Sequence, residues 1–277
     1  MPVVALTQEM GSLSKDVAEA LARDLGLATM RHEVVDHVAS KMLVSRSLIN
    51  RLREGKAGTI ERLTADRRGM AIYSAEEVLE IAARGNVVLR GWGATYLLRE
   101  VPHVVCVRVT RPFAKRVEWL LAHLDTDDAE FAADEIRRSD QAHAARMHAQ
   151  FGVTWGDPLL YDLVLNTERI SVESCVQQIR ALMERPEFSE TEASRALLQG
   201  LALQARVRAA LKADERTHDV NVVIDSAAGR VVLRGIVATA EELAAAAQVA
   251  ATAPGVTDID NQLRVMATSR RFPSARA

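Results

Sequence analysis

The segment VVALTQEMGSLSKDVAEALARDLG, residues 3–26, combines a strand, a loop and a helix at the start of the chain. Residues 3–6 are β-branched and aliphatic, which is typical of a buried strand. Val17, Leu21 and Leu25 then recur at helical spacing, and Gly26 marks the end of that helix. A loop that leads from a strand into a helix presents backbone N–H groups and the positive end of the helix dipole to an anion. The segment therefore predicts a phosphate-binding loop.

The loop departs from the GxxxxGK[ST] phosphate-binding pattern. In the equivalent window, residues 9–16, Lys15 is in place, but both pattern glycines are absent and Asp16 replaces the magnesium-binding hydroxyl. The alternative interpretation is a plain connection from strand to helix, with Ser12 or Ser14 as the N-cap. The window alone leaves both interpretations open.

Later segments continue the alternation of strands and helices. Further strands are predicted at 86–89, 104–109 and 162–165. Ser74-Ala75-Glu76-Glu77 is a capping box, which predicts a helix that begins there and ends at Gly85. Because each strand is a continuous apolar run, we expect an α/β fold with a parallel sheet covered by helices on both faces.

Composition narrows the function classes. The net charge is −2 and the pI is near 6.4, which does not favour a nucleic-acid binder. Cys106 and Cys175 have no CxxC partner and the histidines lack metal-ligand spacing, so no metal site is predicted. Free thiols fit a reducing compartment. We see no signal peptide and no transmembrane segment, and we predict a cytoplasmic protein.

Five segments of the first two-thirds of the chain carry a family resemblance: 7–18 (TQEMGSLSKDVA), 33–39, 85–98 (GNVVLRGWGATYLL), 135–140 and 155–167 (WGDPLLYDLVLNT). With these segments, residues 1–185 resemble the cytidylate-kinase-like family. The resemblance implies a three-layer P-loop NTPase fold of the nucleoside-monophosphate-kinase type, with a mobile lid. It also implies phosphoryl transfer from ATP, with Mg²⁺, to a nucleotide substrate.

The resemblance assigns roles by position. The residues implied in binding the ATP phosphates are Gly11, Ser12, Leu13, Ser14, Lys15 and Asp16. The lid would supply the catalytic residues Arg137, Arg138 and Arg146, oriented by Asp140. The acceptor would contact Arg31, Arg90, Gly91, Trp92, Gly93 and, at the end of a strand, Asp162.

Some positions differ from the family pattern. The family tends to have Arg where Trp92 and His143 stand, and Arg90 and Arg146 are the residues that would replace those charges. Trp92 is either a core aromatic or a platform for base stacking. Arg137 and Arg138 are either lid cations or a solvated helix face that pairs with nearby acidic residues.

The character of the sequence changes after residue 185. Residues 186–197 read as a linker, and residues 198–267 resemble a BON domain, with a predicted hairpin around Gly229. The resemblance implies a small α/β module that binds a small ligand or a lipid, or that self-associates. Residues 268–277 are predicted to be a disordered basic tail.

Two hypotheses follow from these patterns. The first is an ATP-dependent nucleoside monophosphate kinase, for which CMP is the first acceptor to test. The second is a catalytically degenerate nucleotide-sensing or adaptor protein on the same fold. Phosphoryl transfer requires several aligned cations, whereas nucleotide binding requires fewer.

Overall fold

A computed structural model describes residues 1–7, 9–30 and 32–266. Two predicted features, the substrate contact of Arg31 and the tail 268–277, lie outside the described residues. The chain divides into two compact units, Met1–Ala202 and Leu203–Ala277. Within the described ranges, no helix is long and apolar enough to cross a membrane.

The first unit contains a parallel sheet of five strands in the order β2-β3-β1-β4-β5. Its strands are β1 Val3–Leu6, β2 Ala28–Thr29, β3 Val87–Arg90, β4 Val104–Thr110 and β5 Leu163–Asn166. Its helices are α1 Ser14–Leu25, α2 Glu33–Met42, α3 Arg46–Glu54, α4 Thr59–Thr64, α5 Arg67–Arg84, α6 Ala94–Leu97, α7 Phe113–Leu124, α8 Ala129–Phe151 and α9 Val172–Met183, and α10 Glu192–Ala213 continues into the second unit. The predicted α/β class and parallel sheet are confirmed.

Burial of the strands explains this architecture. All four residues of β1 are buried, and helices α1 and α9 pack together over the same core as Val4, Val88 and Val105. Val17 of α1 and Ile179 of α9 are fully enclosed in this core. A strand with apolar side chains on both faces buries the most apolar surface when it lies in the centre of such a sheet, between two layers of helices.

Helix α5 begins earlier than the capping box predicts. The Asp66 carboxylate accepts the Gly69 N–H at 2.8 Å and caps the helix before residue 67. Ser74 lies buried within the helix, where its hydroxyl donates to Ala71 O at 3.1 Å. The predicted start at Ser74 is therefore wrong, because an earlier cap and a buried helix face extend the helix.

The segment 186–197 is not irregular throughout. Helix α10 begins at Glu192, because Thr191 and Ser194 exchange hydrogen bonds of 3.0 and 3.1 Å at its start. The buried Ser194 hydroxyl also lies 2.8 Å from Nδ1 of His103. The second half of the predicted linker is thus helical, and the two compact units divide within this helix.

The second unit is a three-stranded sheet with a crossover helix. Its elements are β6 Val223–Ala227, β7 Arg230–Val237, α11 Ala240–Ala251 and β8 Asp258–Val265. Strands β6 and β7 form an antiparallel hairpin, as predicted, and β7 pairs with β8 in parallel. Gly229 has φ +85°, and a Cβ there would lie 2.7 Å from Oγ1 of Thr257, so the turn requires glycine. Exposed pairs Arg234–Asp225 and Arg230–Asp260 cross between the strands.

Candidate functional site

The loop after β1 folds back on itself through its own side chains. The Ser12 hydroxyl donates to Glu9 O at 2.8 Å, and the Ser14 hydroxyl donates to Thr7 O. Gly11 and Leu13 adopt left-handed φ values of +75° and +62°. For Leu13 this conformation costs about 1–2 kcal/mol, so the surrounding contacts must hold the loop.

The end of the loop still offers free donors to an anion. The backbone N–H groups of Leu13, Lys15 and Asp16 have no hydrogen-bond acceptor among the described residues. They lie at the N-terminus of α1, where the helix dipole favours negative charge. This arrangement suits a phosphate.

Lys15 extends from the same turn. Its side chain is 67% exposed, and Nζ lies 3.9 Å from Oε1 of Glu19. Such an exposed pair is weak, so the ammonium group is available to a ligand. The other side of the loop is held by Thr167, whose hydroxyl donates to Ser12 O at 2.8 Å.

Three arginines from separate elements share one electrostatic environment. They are Arg53 at the end of α3, Arg90 at the end of β3 and Arg146 on α8. Arg146 donates a hydrogen bond to Arg53 O, and burial together with the charge of Arg53 lowers the pKa of Arg146 to about 10. Burial and the charge of Arg53 also lower the pKa of Arg90, and burial lowers that of Arg53 despite Glu54. In each case burial is the main cause, since the charged guanidinium loses solvation there, and an anion bound nearby would offset that cost.

A strained turn brings Trp92 to the arginines. Gly91, Trp92 and Gly93 have consecutive φ values of +81°, +57° and +73°. A left-handed conformation is rare for a bulky residue and is concentrated at functional sites. The Trp92 ring is 7% exposed and lies 5.2 Å from Cζ of Arg53. Trp92 is thus buried and also lines a pocket, whose other walls include Thr7, Thr95, His143, Arg146 and Trp155.

Of the three predicted lid arginines, Arg146 lines this pocket, whereas Arg137 and Arg138 do not. Arg137 pairs with Asp134 at 2.7 Å and Arg138 pairs with Glu135, each within α8. Both arginine side chains are about half exposed, as the alternative of a solvated helix face described.

Asp140 has a different partner from the one predicted. Its carboxylate accepts two hydrogen bonds from Arg116, at 2.9 and 2.7 Å, and no bond to the lid arginines is present among the described residues. The prediction that Asp140 orients Arg137, Arg138 and Arg146 is therefore corrected. Arg116 is buried on α7, where its two hydrogen bonds to the carboxylate are shielded from water more than a pair with the exposed Arg137 or Arg138 would be.

Asp162 forms a hydrogen bond that stabilises the sheet. It precedes β5, at the amino-terminal end of that strand, and its carboxylate accepts the Cys106 N–H at 2.7 Å. Ligands of such sheets bind beyond the carboxyl ends of the strands. The structure therefore does not bring Asp162 to the phosphate loop.

His143 is a buried titratable group in the pocket. Its pKa is lowered to about 4, mainly by burial and also by the charges of Arg146 and Arg53, against the opposing effects of the bond to Ser139 O and the charge of Asp140. The folded pKa is below the unfolded value near 6.5, so stability is lost as pH falls below 6.5.

We expect the free energy of unfolding at pH 4.5 to be about 2.5 kcal/mol lower than at pH 7 because of the protonation of His143. Urea unfolding of the wild type and His143→Leu at both pH values measures the difference, and parallel pH dependence would contradict it.

Two known families match this chain, each over a different stretch of residues. The sequence profile of the cytidylate kinase-like family matches residues 3–169, and that of the BON domain matches residues 201–267. The chain belongs to the cytidylate kinase-like family. Membership in this family implies nucleotide binding by the first unit.

Relatives in the cytidylate kinase-like family are distant. A cytidylate kinase of Ignicoccus hospitalis is 30% identical over 66% of this chain and 99% of its own length. A cytidylate kinase of Staphylothermus marinus is 24% identical over 58% of this chain and 91% of its own. An uncharacterized protein from Eubacterium ventriosum has a similar fold, with TM-score 0.52 and 16% identity over 66% of this chain and 98% of that one.

Two residues of the site were not predicted from the sequence. Arg53 lies in a charged helix, and Arg116 lies between a lysine and a valine without a local acidic partner at helical spacing. The contacts that place them at the site, Arg53 with Trp92 and Arg116 with Asp140, join residues that are distant in the sequence. A family pattern with arginine at both positions is the signal that could have identified them.

Proposed function

We propose that this protein transfers a phosphoryl group from ATP to a nucleoside monophosphate, with CMP as the first acceptor to test. The observation that carries the proposal is the cluster of Arg53, Arg90 and Arg146 beside the phosphate loop. Thr7, which begins the loop, and Arg146 line the same pocket. Two features suited to anions would thus lie close together, as a reaction between two phosphates requires.

Phosphoryl transfer needs positioning and positive charge more than covalent chemistry. The N–H groups at the start of α1 and Lys15 would hold the donor phosphates. Arg53, Arg90 and Arg146 would hold the acceptor phosphate and stabilise charge on the group in transit. Their mutual repulsion would be relieved when the anion binds, which favours a charged transition state.

The residues present fit ATP and Mg²⁺. The unpaired N–H groups at the start of α1 are suitable donors for a phosphate. Asp16 would supply the kind of oxygen ligand that Mg²⁺ prefers, and its carboxylate acts electrostatically on Arg90. When bound, Mg²⁺ would neutralise charge on the phosphates of ATP.

A coupled assay of ADP release tests the proposal. Mg²⁺-ATP is supplied with CMP, UMP, AMP or GMP in turn, and turnover must depend on the acceptor. Lys15→Ala is expected to lower turnover about 10- to 100-fold, because a charge-assisted contact to phosphate is lost. Arg180→Ala, an exposed arginine paired with Glu184 on α9, is the control and should leave turnover unchanged. No turnover with any acceptor, from folded protein, would contradict the proposal.

A second candidate is a protein that senses nucleotides without catalysis. It is favoured by the bonds of Ser12 and Ser14 that close the loop and by the strained Leu13, since both resist rearrangement around a triphosphate. Nucleotide binding measured by calorimetry, without ADP release, would support this candidate. The BON domain's binding of a lipid or small ligand, its self-association and the cytoplasmic location remain predictions.

A further inference from the structure

The protonation of the His143 ring is set by a contact within its own helix. Its Nδ1 lies 2.8 Å from Ser139 O, one helical turn earlier in α8. A carbonyl oxygen only accepts, so Nδ1 carries the proton and Nε2 carries a lone pair. Nε2 has no hydrogen-bond partner among the described residues, while the side chain lines the pocket with Trp92, Thr95 and Arg146.

The imidazole ring is held in this orientation from the other side. It stacks on Trp155, with ring centroids 5.3 Å apart and an interplanar angle of 22°. Trp155 is itself fixed, because Arg108 and Tyr161 donate hydrogen bonds of 3.0 and 2.7 Å to its carbonyl oxygen. Because the ring is held both by stacking and by a hydrogen bond within its own helix, it loses little conformational freedom when a ligand binds.

The charge state keeps Nε2 an acceptor. Burial, together with nearby Arg146 and Arg53, lowers the pKa of His143 to about 4 despite the opposing effects of Ser139 O and Asp140. The ring is therefore neutral at neutral pH. The pocket therefore offers two kinds of contact. Its arginines can bind an anion, and Nε2 of His143 can accept a hydrogen bond from a neutral group of the ligand.

We propose that His143 is a specificity-determining residue of the acceptor pocket, where Nε2 accepts a hydrogen bond from an amino group on the base of a nucleoside monophosphate. This inference rests on the proposed function for the identity of the ligand. It adds to that function the identity of one atom, Nε2 of His143, as the atom that distinguishes a base that carries an amino group from a base that does not. Because a site built to pair with a donor rejects an analogue that lacks it, removal of that group should weaken binding.

Equilibrium binding of matched ligands tests the inference. Calorimetry compares CMP with the 5′-monophosphate of pyrimidin-2-one riboside, which lacks only the 4-amino group. AMP is compared with the 5′-monophosphate of purine riboside in the same way. For at least one pair, the wild type is expected to bind the amino-bearing ligand about tenfold more tightly, the value of one neutral hydrogen bond.

Variants separate recognition from folding. His143→Leu should abolish the difference within the pair, and His143→Gln, which retains an acceptor, should restore part of it. His148→Leu, on the exposed side of the same helix, should keep the full difference. An unchanged difference in His143→Leu, equal binding of both pairs by the wild type, or no binding of any of these monophosphates would overturn the inference.

A spectroscopic measurement does not depend on turnover. Long-range ¹H–¹⁵N spectra of the full chain should show His143 protonated at Nδ1, and the amino-bearing ligand should shift its Nε2 resonance. Protonation at Nε2 instead would overturn the inference. Acceptor-dependent ADP release without a ligand difference at His143 leaves the kinase proposal standing alone, and a ligand difference without ADP release leaves the recognition role standing alone.

Discussion

Replacement of Arg116 by methionine is expected to lower the free energy of unfolding by about 3–5 kcal/mol, because it removes a buried cation from its ion pairs with Asp140 and Glu9 and leaves the buried Glu9 with Arg108 alone. Arg116 donates to both carboxylate oxygens of Asp140 and lies 3.7 Å from Oε1 of Glu9. Burial lowers the pKa of Arg116, but the hydrogen bonds to Asp140 and the charge of Glu9 give a net increase. The measurement is urea unfolding at pH 7.

The buried carboxyl group of Glu9 explains the size of this effect. Burial raises its pKa, and Arg108 and Arg116 are the charges that oppose the increase. The loop also packs directly on this arginine, since a Cβ at Gly11 would lie 3.0 Å from Cβ of Arg116. Loss of Arg116 therefore weakens both the ion pairs and the support of the phosphate loop.

Arg137→Met is the matched control for stability. Its pair with Asp134 is exposed on both sides, so we expect a change below about 1 kcal/mol. If Arg116→Met and Arg137→Met lower the free energy of unfolding by similar amounts, burial does not make the Arg116 pair more stabilising than an exposed pair. A small loss in Arg116→Met alone would have the same meaning.

Replacement of Arg146 by methionine is expected to lower kcat/KM for phosphoryl transfer by about 10²–10³-fold, the usual loss when a preorganised charge is removed. Methionine keeps the apolar stem of the buried side chain, so packing against the pocket is retained. The coupled ADP assay across a range of acceptor concentrations gives both kcat and KM.

Arg138→Met tests the competing hypothesis of a lid. Arg138 is about half exposed and pairs with Glu135, so its removal should change kcat/KM less than about threefold. If Arg138→Met lowers activity more than Arg146→Met, the lid assigned from the family resemblance supplies the catalytic charge and the buried cluster does not. Thermal unfolding of both variants confirms that each is folded.

Features of short range could be predicted from the sequence. The apolar runs of the strands predicted the parallel sheet, and the turn at Gly229 predicted the hairpin, because burial and turn conformation act within a few residues. The pair Arg137–Asp134 was also predictable, since residues three apart share a helix face.

Other features depend on residues that only folding brings together. Asp140 had nearby arginines in its own helix, yet it pairs with Arg116 on α7, where burial makes a two-bond ion pair more favourable than an exposed one. Arg53, Arg90 and Arg146 come from α3, β3 and α8, and no local pattern predicts their shared environment. The sequence by itself determined the strands other than β2, most helices and the strand–loop–helix that begins the chain. The tertiary structure alone decided which charges are buried and paired, because those energies depend on desolvation and on contacts between distant segments.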